Sequence, residues 1–246
     1  MAEFAIRVGS CSARGVRPKN EDRYVADPQN QFYLVADGMG GQDQGERASG
    51  LAAEIIPRVV QDRLAAHDEP GQAVQRALSE ANQAIVQAGR NQPAGRRMGT
   101  TAVLALRQND QIYVASLGDS RAYLIRDDRV EQLTVDHSVA EALRANGTLT
   151  PEQAKISPWQ HVLYRFLGCA EMTDDGAEIR PFTPQAGDRL LLATDGLTNH
   201  VSEDDLRQGV QIYSDPQAWA DHLVQTALDR GSRDNVTCVV VAFNPE

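Results

Sequence analysis

The sequence predicts an α+β sandwich in which helices cover sheets built mainly from hairpins, and three observations carry that reading. Apolar runs of strand length recur between turn-forming residues, as in Phe32-Tyr33-Leu34-Val35 and in Arg189 to Ala193. Two amphipathic segments follow one another after the first strands, each with a single apolar face. A regular alternation of strand and helix is absent, which disfavours a doubly wound parallel sheet.

Taken in order, Phe4 to Ser12 alternates loosely as a strand, and Arg14 to Asn20 breaks it with basic and turn-forming residues. Glu21-Asp22 opens a strand over Arg23 to Ala26, Asp27-Pro28-Gln29-Asn30 turns the chain, and Gln31 to Ala36 returns. An antiparallel hairpin there places Glu21 and Asp22 beside Asp37. Ala48, Leu51, Ala52, Ile55, Ile56, Val59, Val60 and Leu64 mark one helix, with Pro57 as a candidate kink. Val74, Ala77, Leu78, Ala81 and Ile85 mark the second.

Gly99-Thr100-Thr101 restarts β structure over Ala102 to Leu106, Gln111 to Leu117 and Arg121 to Arg126, with Asp119 in an expected hairpin turn between the last two. Val130 to Thr134 is a short strand, and Asp136-His137-Ser138 precedes a helix that Asn146-Gly147 stops. Thr150-Pro151 starts another helix, followed by Trp159, His161 and Tyr164. Residues 147–164 read as an insertion over a sheet edge, either a lid or specificity element or a packed connection. Strands at Ala177 to Phe182 and Arg189 to Ala193 precede helices starting at Ser202 and Asp215-Pro216, and Val236 to Phe243 is the last strand.

With 246 residues, 41% hydrophobic and 24% charged, the composition is that of a globular chain. No apolar stretch approaches the ~20 residues that span a bilayer, and MAEFAIRVGS lacks the pattern of a leader, so a cytoplasmic protein without membrane contact is expected. The net charge of -10 argues against nucleic acid as the main partner and suits a protein that collects divalent cations. Cys11, Cys169 and Cys238 form no CxxC pair and read as small core residues.

The acids carry the chemistry. Asp37 follows FYLVA and precedes glycines that let backbone approach a ligand; Asp119 follows IYVASLG; Asp195 follows LLLAT; Asp234 precedes VTCVVVAF. Each alone is ordinary turn chemistry. Placed at one edge of antiparallel strands with Glu21 and Asp22, they form a self-repelling cluster that cations neutralise. Oxygen-only ligands favour Mg²⁺ or Mn²⁺ over zinc. Two such ions bridged by Asp37 would generate a hydroxide nucleophile and clamp a phosphoryl group, and Arg14 is either a bidentate phosphate contact or a solvated loop residue.

The ordered set Arg14-Gly15 with Asn20-Glu21-Asp22, Asp37-Gly38-Met39-Gly40-Gly41, Gly99-Thr100-Thr101-Ala102, Leu117-Gly118-Asp119-Ser120-Arg121, Asp136-His137-Ser138, Arg165 with Leu167-Gly168, Thr194-Asp195-Gly196-Leu197 and Asp234-Asn235-Val236-Thr237 resembles the metal-dependent protein phosphatase family, protein phosphatase 2C, in its bacterial branch. The resemblance spans nearly the whole chain. It implies a four-layer α-β-β-α sandwich with two mainly antiparallel sheets, and one catalytic domain over residues 1–246 with a flap at about 139–164. It implies hydrolysis of phosphoserine and phosphothreonine in proteins by direct attack of a metal-bridging hydroxide, with Mn²⁺ or Mg²⁺, two per chain. Asp37 would bridge both ions, the Gly38 carbonyl bind one, Asp195 and Asp234 the other, and Glu21 and Asp22 hold metal-bound waters. Asp119 with Asp195 matches a third ion site, and Arg14 the phosphate-binding arginine, so Arg14, Asp37, Asp195 and Asp234 are the expected catalytic set.

Met39 stands where many eukaryotic members carry a histidine that protonates the leaving alkoxide, and a thioether cannot. A metal-bound water or a flap residue such as His161 must serve, although His161, like His137 and His200, reads more simply as a local structural residue. Partners are expected to be phosphorylated proteins, in signalling, with the chain itself monomeric. Two rival readings are a phosphoprotein-binding regulatory module without turnover, against which the full set of acids speaks, and a two-metal phosphodiesterase, against which the acidic balance speaks.

Overall fold

Phe32, Leu34 and Ala36 alternate with Tyr33 and Val35 along one strand whose residues are all buried, so both of its faces need a cover. The computed structural model supplies those covers in four layers. It describes residues 4–40, 43–90, 98–171 and 177–245; Gly41, the last glycine after Asp37, lies outside the described residues.

The strands are β1 (Phe4–Ala13), β2 (Arg23–Asp27), β3 (Phe32–Ala36), β4 (Gly38–Met39), β5 (Gly99–Thr100), β6 (Ala102–Gln108), β7 (Gln111–Leu117), β8 (Arg121–Arg126), β9 (Arg129–Gln132), β10 (Glu178–Phe182), β11 (Arg189–Ala193) and β12 (Val236–Pro245). The helices are α1 (Gln44–Ala65), α2 (Pro70–Arg90), α3 (Val139–Ala145), α4 (Pro151–Lys155), α5 (Asp195–Thr198), α6 (Glu203–Ile212) and α7 (Pro216–Asp229). One five-stranded sheet has the order β1-β12-β11-β8-β9 and the other β10-β7-β6-β3-β2, while β4 and β5 form a separate two-stranded pair, every pairing antiparallel.

Between the sheets pack Tyr33, Val35, Val103, Leu190, Leu192, Val239, Val241 and Phe243. Their strand neighbours Phe32, Leu34 and Leu104 face α1 and α2, while Leu191, Cys238 and Val240 face α6 and α7. The predicted α+β sandwich is therefore observed, as α-β-β-α. Cys238 is a buried core residue and pairs across strands with Cys11. Phe243 lies edge-on to Phe4 at 5.3 Å and is fully buried. Phe243→Ala is expected to cost about 3–5 kcal/mol by emptying the inter-sheet layer, read as a lower urea midpoint at unchanged slope.

The expected helix starts are capped as their sequences suggest. Thr150 and Ser202 each close a capping box, and Asp215 accepts from the Ala218 N–H at 3.1 Å. α1 continues through Pro57 from Gln44 to Ala65, so the candidate kink does not divide it.

One expectation is corrected. β7 and β8 lie in different sheets, so Gly118-Asp119-Ser120 is not a hairpin turn but a crossover between the two layers. A short linker between apolar strands is as compatible with two facing sheets as with one. Gly118 adopts φ of +104°, a region open to glycine, and the chain leaves one sheet for the other there. The crossover puts Asp119 where both sheets end together.

Candidate metal centre

Each acid of the site is delivered by the end of a strand. In the β2–β3 hairpin Arg23 opposes Ala36, which sets Glu21 and Asp22 beside Asp37 as the sequence suggests. β6 begins next to β3, and Thr101 just before it fixes Asp37: the Asp37 N–H donates to Thr101 Oγ1 at 2.9 Å, while the Thr101 N–H and Thr100 Oγ1 donate to the Asp37 carbonyl at 2.9 and 2.8 Å. Thr101 Oγ1 also lies 2.7 Å from Ser120 Oγ, tying the Asp37 turn to the crossover that holds Asp119. The buried His137 closes the other side of that crossover through Nδ1, which accepts from the Gly118 N–H at 3.2 Å.

From the second sheet come Asp195, the first residue of the one-turn helix α5 after β11, and Asp234, just before β12. Thr194 Oγ1 donates to Asp22 Oδ2 at 3.2 Å and accepts from the Thr237 N–H at 3.1 Å, so one hydroxyl links three strand ends. Asn235 is the other clamp. Its Nδ2 donates to the Arg14 and Lys19 carbonyls at 2.8 and 2.9 Å, and its Oδ1 accepts from the Glu21 N–H at 2.8 Å. Gly38 and Gly45 meet backbone to backbone: a Cβ on Gly38 would stand 2.2 Å from the Gly45 carbonyl oxygen, so only glycine admits this approach.

The electrostatics follow from confinement. Burial raises the Asp37 carboxyl well above the usual range, and Asp22, Asp195, Asp119 and Asp234 add repulsion in the same direction. Burial likewise pushes Asp22 to about 7, with Asp195 and Asp234 contributing, and pushes Asp119 to about 7, with Asp195 and Asp136 contributing. Glu21 is raised by burial as well. Asp22 Oδ1 is buried with no partner among the described residues. A site that raises the pKa of its own carboxylates and orphans a buried oxygen is short of positive charge, and its donors are oxygens suited to hard divalent cations. The residues present therefore fit a Mn²⁺ or Mg²⁺ centre.

A cleft of about 870 Å³ contains Glu21, Asp37, Gly38, Met39, Asp119, Asp195 and Asp234. The basic turn and the segment after α4 differ from expectation. Arg14 is not brought to it; its guanidinium turns to the Pro18 carbonyl at 3.4 Å. Arg17 of the same basic turn occupies the cleft instead, with Nη2 2.6 Å from Asp234 Oδ2. His161 is not a packed residue beside Trp159: its side chain is 55% exposed, and Nδ1 lies 3.4 Å from Asp195 Oδ2. The hydrogen bond to Asp195 raises its pKa, and Asp119, His161 and Asp195 present ligand atoms within 4.8 Å of one another. His200 sits in the cleft wall, with its carbonyl accepting from Arg230 Nη1 at 2.9 Å, and His222 stacks on Tyr213 at 4.7 Å, away from the site. A second groove, of about 950 Å³, runs on under α3 and α4 and shares Asp119, His161 and Asp195 with the first.

Sequence reasoning missed Arg17, Asn235, Thr101 and Thr194 in these roles. Arg17 stands in the basic run whose first member is Arg14, and linear order alone does not say which guanidinium turns inward. The Asp234-Asn235 and Thr194-Asp195 pairs did carry a signal, a polar residue beside each strand-end acid.

A family model described as protein phosphatase 2C matches residues 12–234. The serine/threonine phosphatase stp of Listeria innocua is 32% identical over 234 residues, covering 93% of this chain and 92% of that protein. Protein phosphatase PhpP of Streptococcus pneumoniae is 35% identical, covering 94% of each. The crystal structure of the Mycobacterium tuberculosis serine/threonine phosphatase PstP/Ppp superposes with a TM-score of 0.85 at 33% identity, over 97% of this chain and 99% of that one. The catalytic domain of PstP in complex with two manganese ions superposes with a TM-score of 0.83 at 31% identity, over 98% of this chain and 100% of that one.

Proposed function

This chain belongs to the protein phosphatase 2C family, and we propose that it is a metal-dependent protein-serine/threonine phosphatase acting on phosphoserine and phosphothreonine monoesters. The observation that carries this reading is the convergence of Asp22, Asp37, Asp119, Asp195 and Asp234 from both sheets, so tight that the Asp37 carboxyl is driven toward protonation.

Asp37, the Gly38 carbonyl, Asp195 and Asp234 are the groups that would hold two divalent cations, with Glu21 and Asp22 behind them and Asp119 with Asp195 as a third position. Bound there, Mn²⁺ or Mg²⁺ would supply Lewis-acid polarisation of the phosphoryl group and would lower the pKa of a water enough for it to ionise and serve as the nucleophile. Arg17 orients the phosphoryl oxygens, its fork matching two of them while Asp234 steadies it. His161 is the flap's ionisable contribution to the cleft, and its raised pKa keeps a proton available for the leaving alkoxide that Met39 cannot supply. Thr101, Thr194 and Asn235 hold the acids at fixed positions, so little reorganisation accompanies the reaction.

Purified protein with Mn²⁺ should release inorganic phosphate from a phosphothreonine peptide and leave a phosphodiester intact. Turnover in EDTA would overturn the metal-dependent reading, and tight peptide binding without phosphate release would favour a non-catalytic phosphoprotein-binding module. Arg17→Ala is expected to lower kcat/KM on that peptide roughly 30-fold, about 2 kcal/mol of transition-state contact, and Arg14→Ala to change it by less than about three-fold. The reverse ranking would return the phosphoryl contact to Arg14.

A further inference from the structure

We propose that Arg233 is a specificity residue that reads a negatively charged side chain next to the phosphorylated residue of the substrate; this rests on the phosphatase reading above. Among the described residues, three Arg and Lys side chains line the cleft: Arg17, Lys19 and Arg233. Arg17 is held by Asp234 and Lys19 by Asp43. Arg233 is exposed and has no ion pair or hydrogen bond among the described residues.

The loop that carries it is nonetheless fixed. Ser232 Oγ donates to the Gly196 carbonyl at 2.9 Å, the Ser232 N–H donates to the Ala227 carbonyl at 3.0 Å, and Asp234 Oδ1 accepts from the Asn235 N–H at 2.8 Å. An unpaired guanidinium thus stands on a rigid support one residue from a proposed metal ligand. Its fork matches a carboxylate or a phosphate with two parallel hydrogen bonds.

Charge explains what it is for. The chain carries a net charge of -10 and lines this cleft with carboxylates, so an acidic peptide meets repulsion on approach. Arg17 faces the phosphoryl group, and among the described Arg and Lys residues of the cleft the one left to meet a second anion is Arg233. Substrates with Glu, Asp or a further phosphate beside the scissile phosphate are therefore favoured over neutral ones of the same length.

The test compares two phosphothreonine peptides that differ only by Glu or Gln at the flanking positions, with p-nitrophenyl phosphate as a substrate that has no flank. Arg233→Gln should raise KM for the Glu peptide about five- to ten-fold at unchanged kcat, the range of a charge-assisted contact at a partly exposed site. The Gln peptide and p-nitrophenyl phosphate should be unaffected, and Arg233→Lys should recover part of the loss. Equal changes on both peptides, or no change on either, would overturn the proposal. A fall in kcat on p-nitrophenyl phosphate would also overturn it, by assigning Arg233 to the phosphoryl group. Failure of the unmodified protein with Mn²⁺ to hydrolyse any of the three would instead overturn the phosphatase reading, and this inference with it.

Discussion

Asp37→Asn is expected to reduce phosphate release from a phosphothreonine peptide by at least about 10³-fold at saturating Mn²⁺, while the protein stays folded. The fold should survive because what positions Asp37 is backbone: its N–H and carbonyl are engaged by Thr100 and Thr101, and an amide fills the space of a carboxyl. What the substitution removes is the charge at the centre of the cluster, on which Asp22, Asp119, Asp195 and Asp234 all bear. The same loss has the opposite sign for stability without metal. A neutral side chain relieves the repulsion that now pushes the Asp37 carboxyl up, so EDTA-treated Asp37→Asn should melt no lower than the parent protein. Phosphate release and thermal unfolding, measured on the same preparation, separate a lost site from a lost fold. An inactive variant that also melts many degrees lower would mean that Asp37 is structural, and an active one would remove it from the reaction.

The parts of this molecule that were legible in sequence are those fixed by local periodicity. Phe32 to Ala36 and Arg189 to Ala193 read as strands because they are apolar throughout, and the same continuity implies cover on both faces. The β2–β3 hairpin follows from Asp27-Pro28-Gln29-Asn30, and with it the meeting of Glu21, Asp22 and Asp37. The site was less legible where side-chain direction decides. Arg14 and Arg17 are three residues apart in an irregular turn, and it is the Asn235 clamp on the Arg14 and Lys19 carbonyls that shapes the turn between them. His161 lies 34 residues from Asp195, and only the path of the chain after α4 brings them together. The Asp119 crossover failed for a related reason: two apolar strands with a short link look alike whether they pair edge to edge or pack face to face.

Removing the metal should expose the charge imbalance directly, as a stability that falls with pH. Asp22 and Asp119 have ordinary values near 3.8 and are raised to about 7 in the fold, chiefly by burial. Between those values the folded state binds more protons than the unfolded chain, so the slope of unfolding free energy against pH is negative. The stability associated with these two acids is fully present below about pH 4 and is lost as pH rises through about 7. The sum is on the order of a few kcal/mol, because the two titrations are coupled and shared with Asp37. For a chain of this length that corresponds to roughly 5–10 °C in Tm between about pH 5 and pH 8. Divalent cations reverse the trend, since they favour the ionised carboxylates and have fewer protons to displace at the higher pH. EDTA-treated protein should therefore melt lower at pH 8 than at pH 5, Mn²⁺ should raise Tm more at pH 8, and activity should return only with the metal. A metal-free Tm that is flat across this range, or a Mn²⁺ stabilisation equal at both pH values, would show that the acids are not confined tightly enough to form the centre proposed for them.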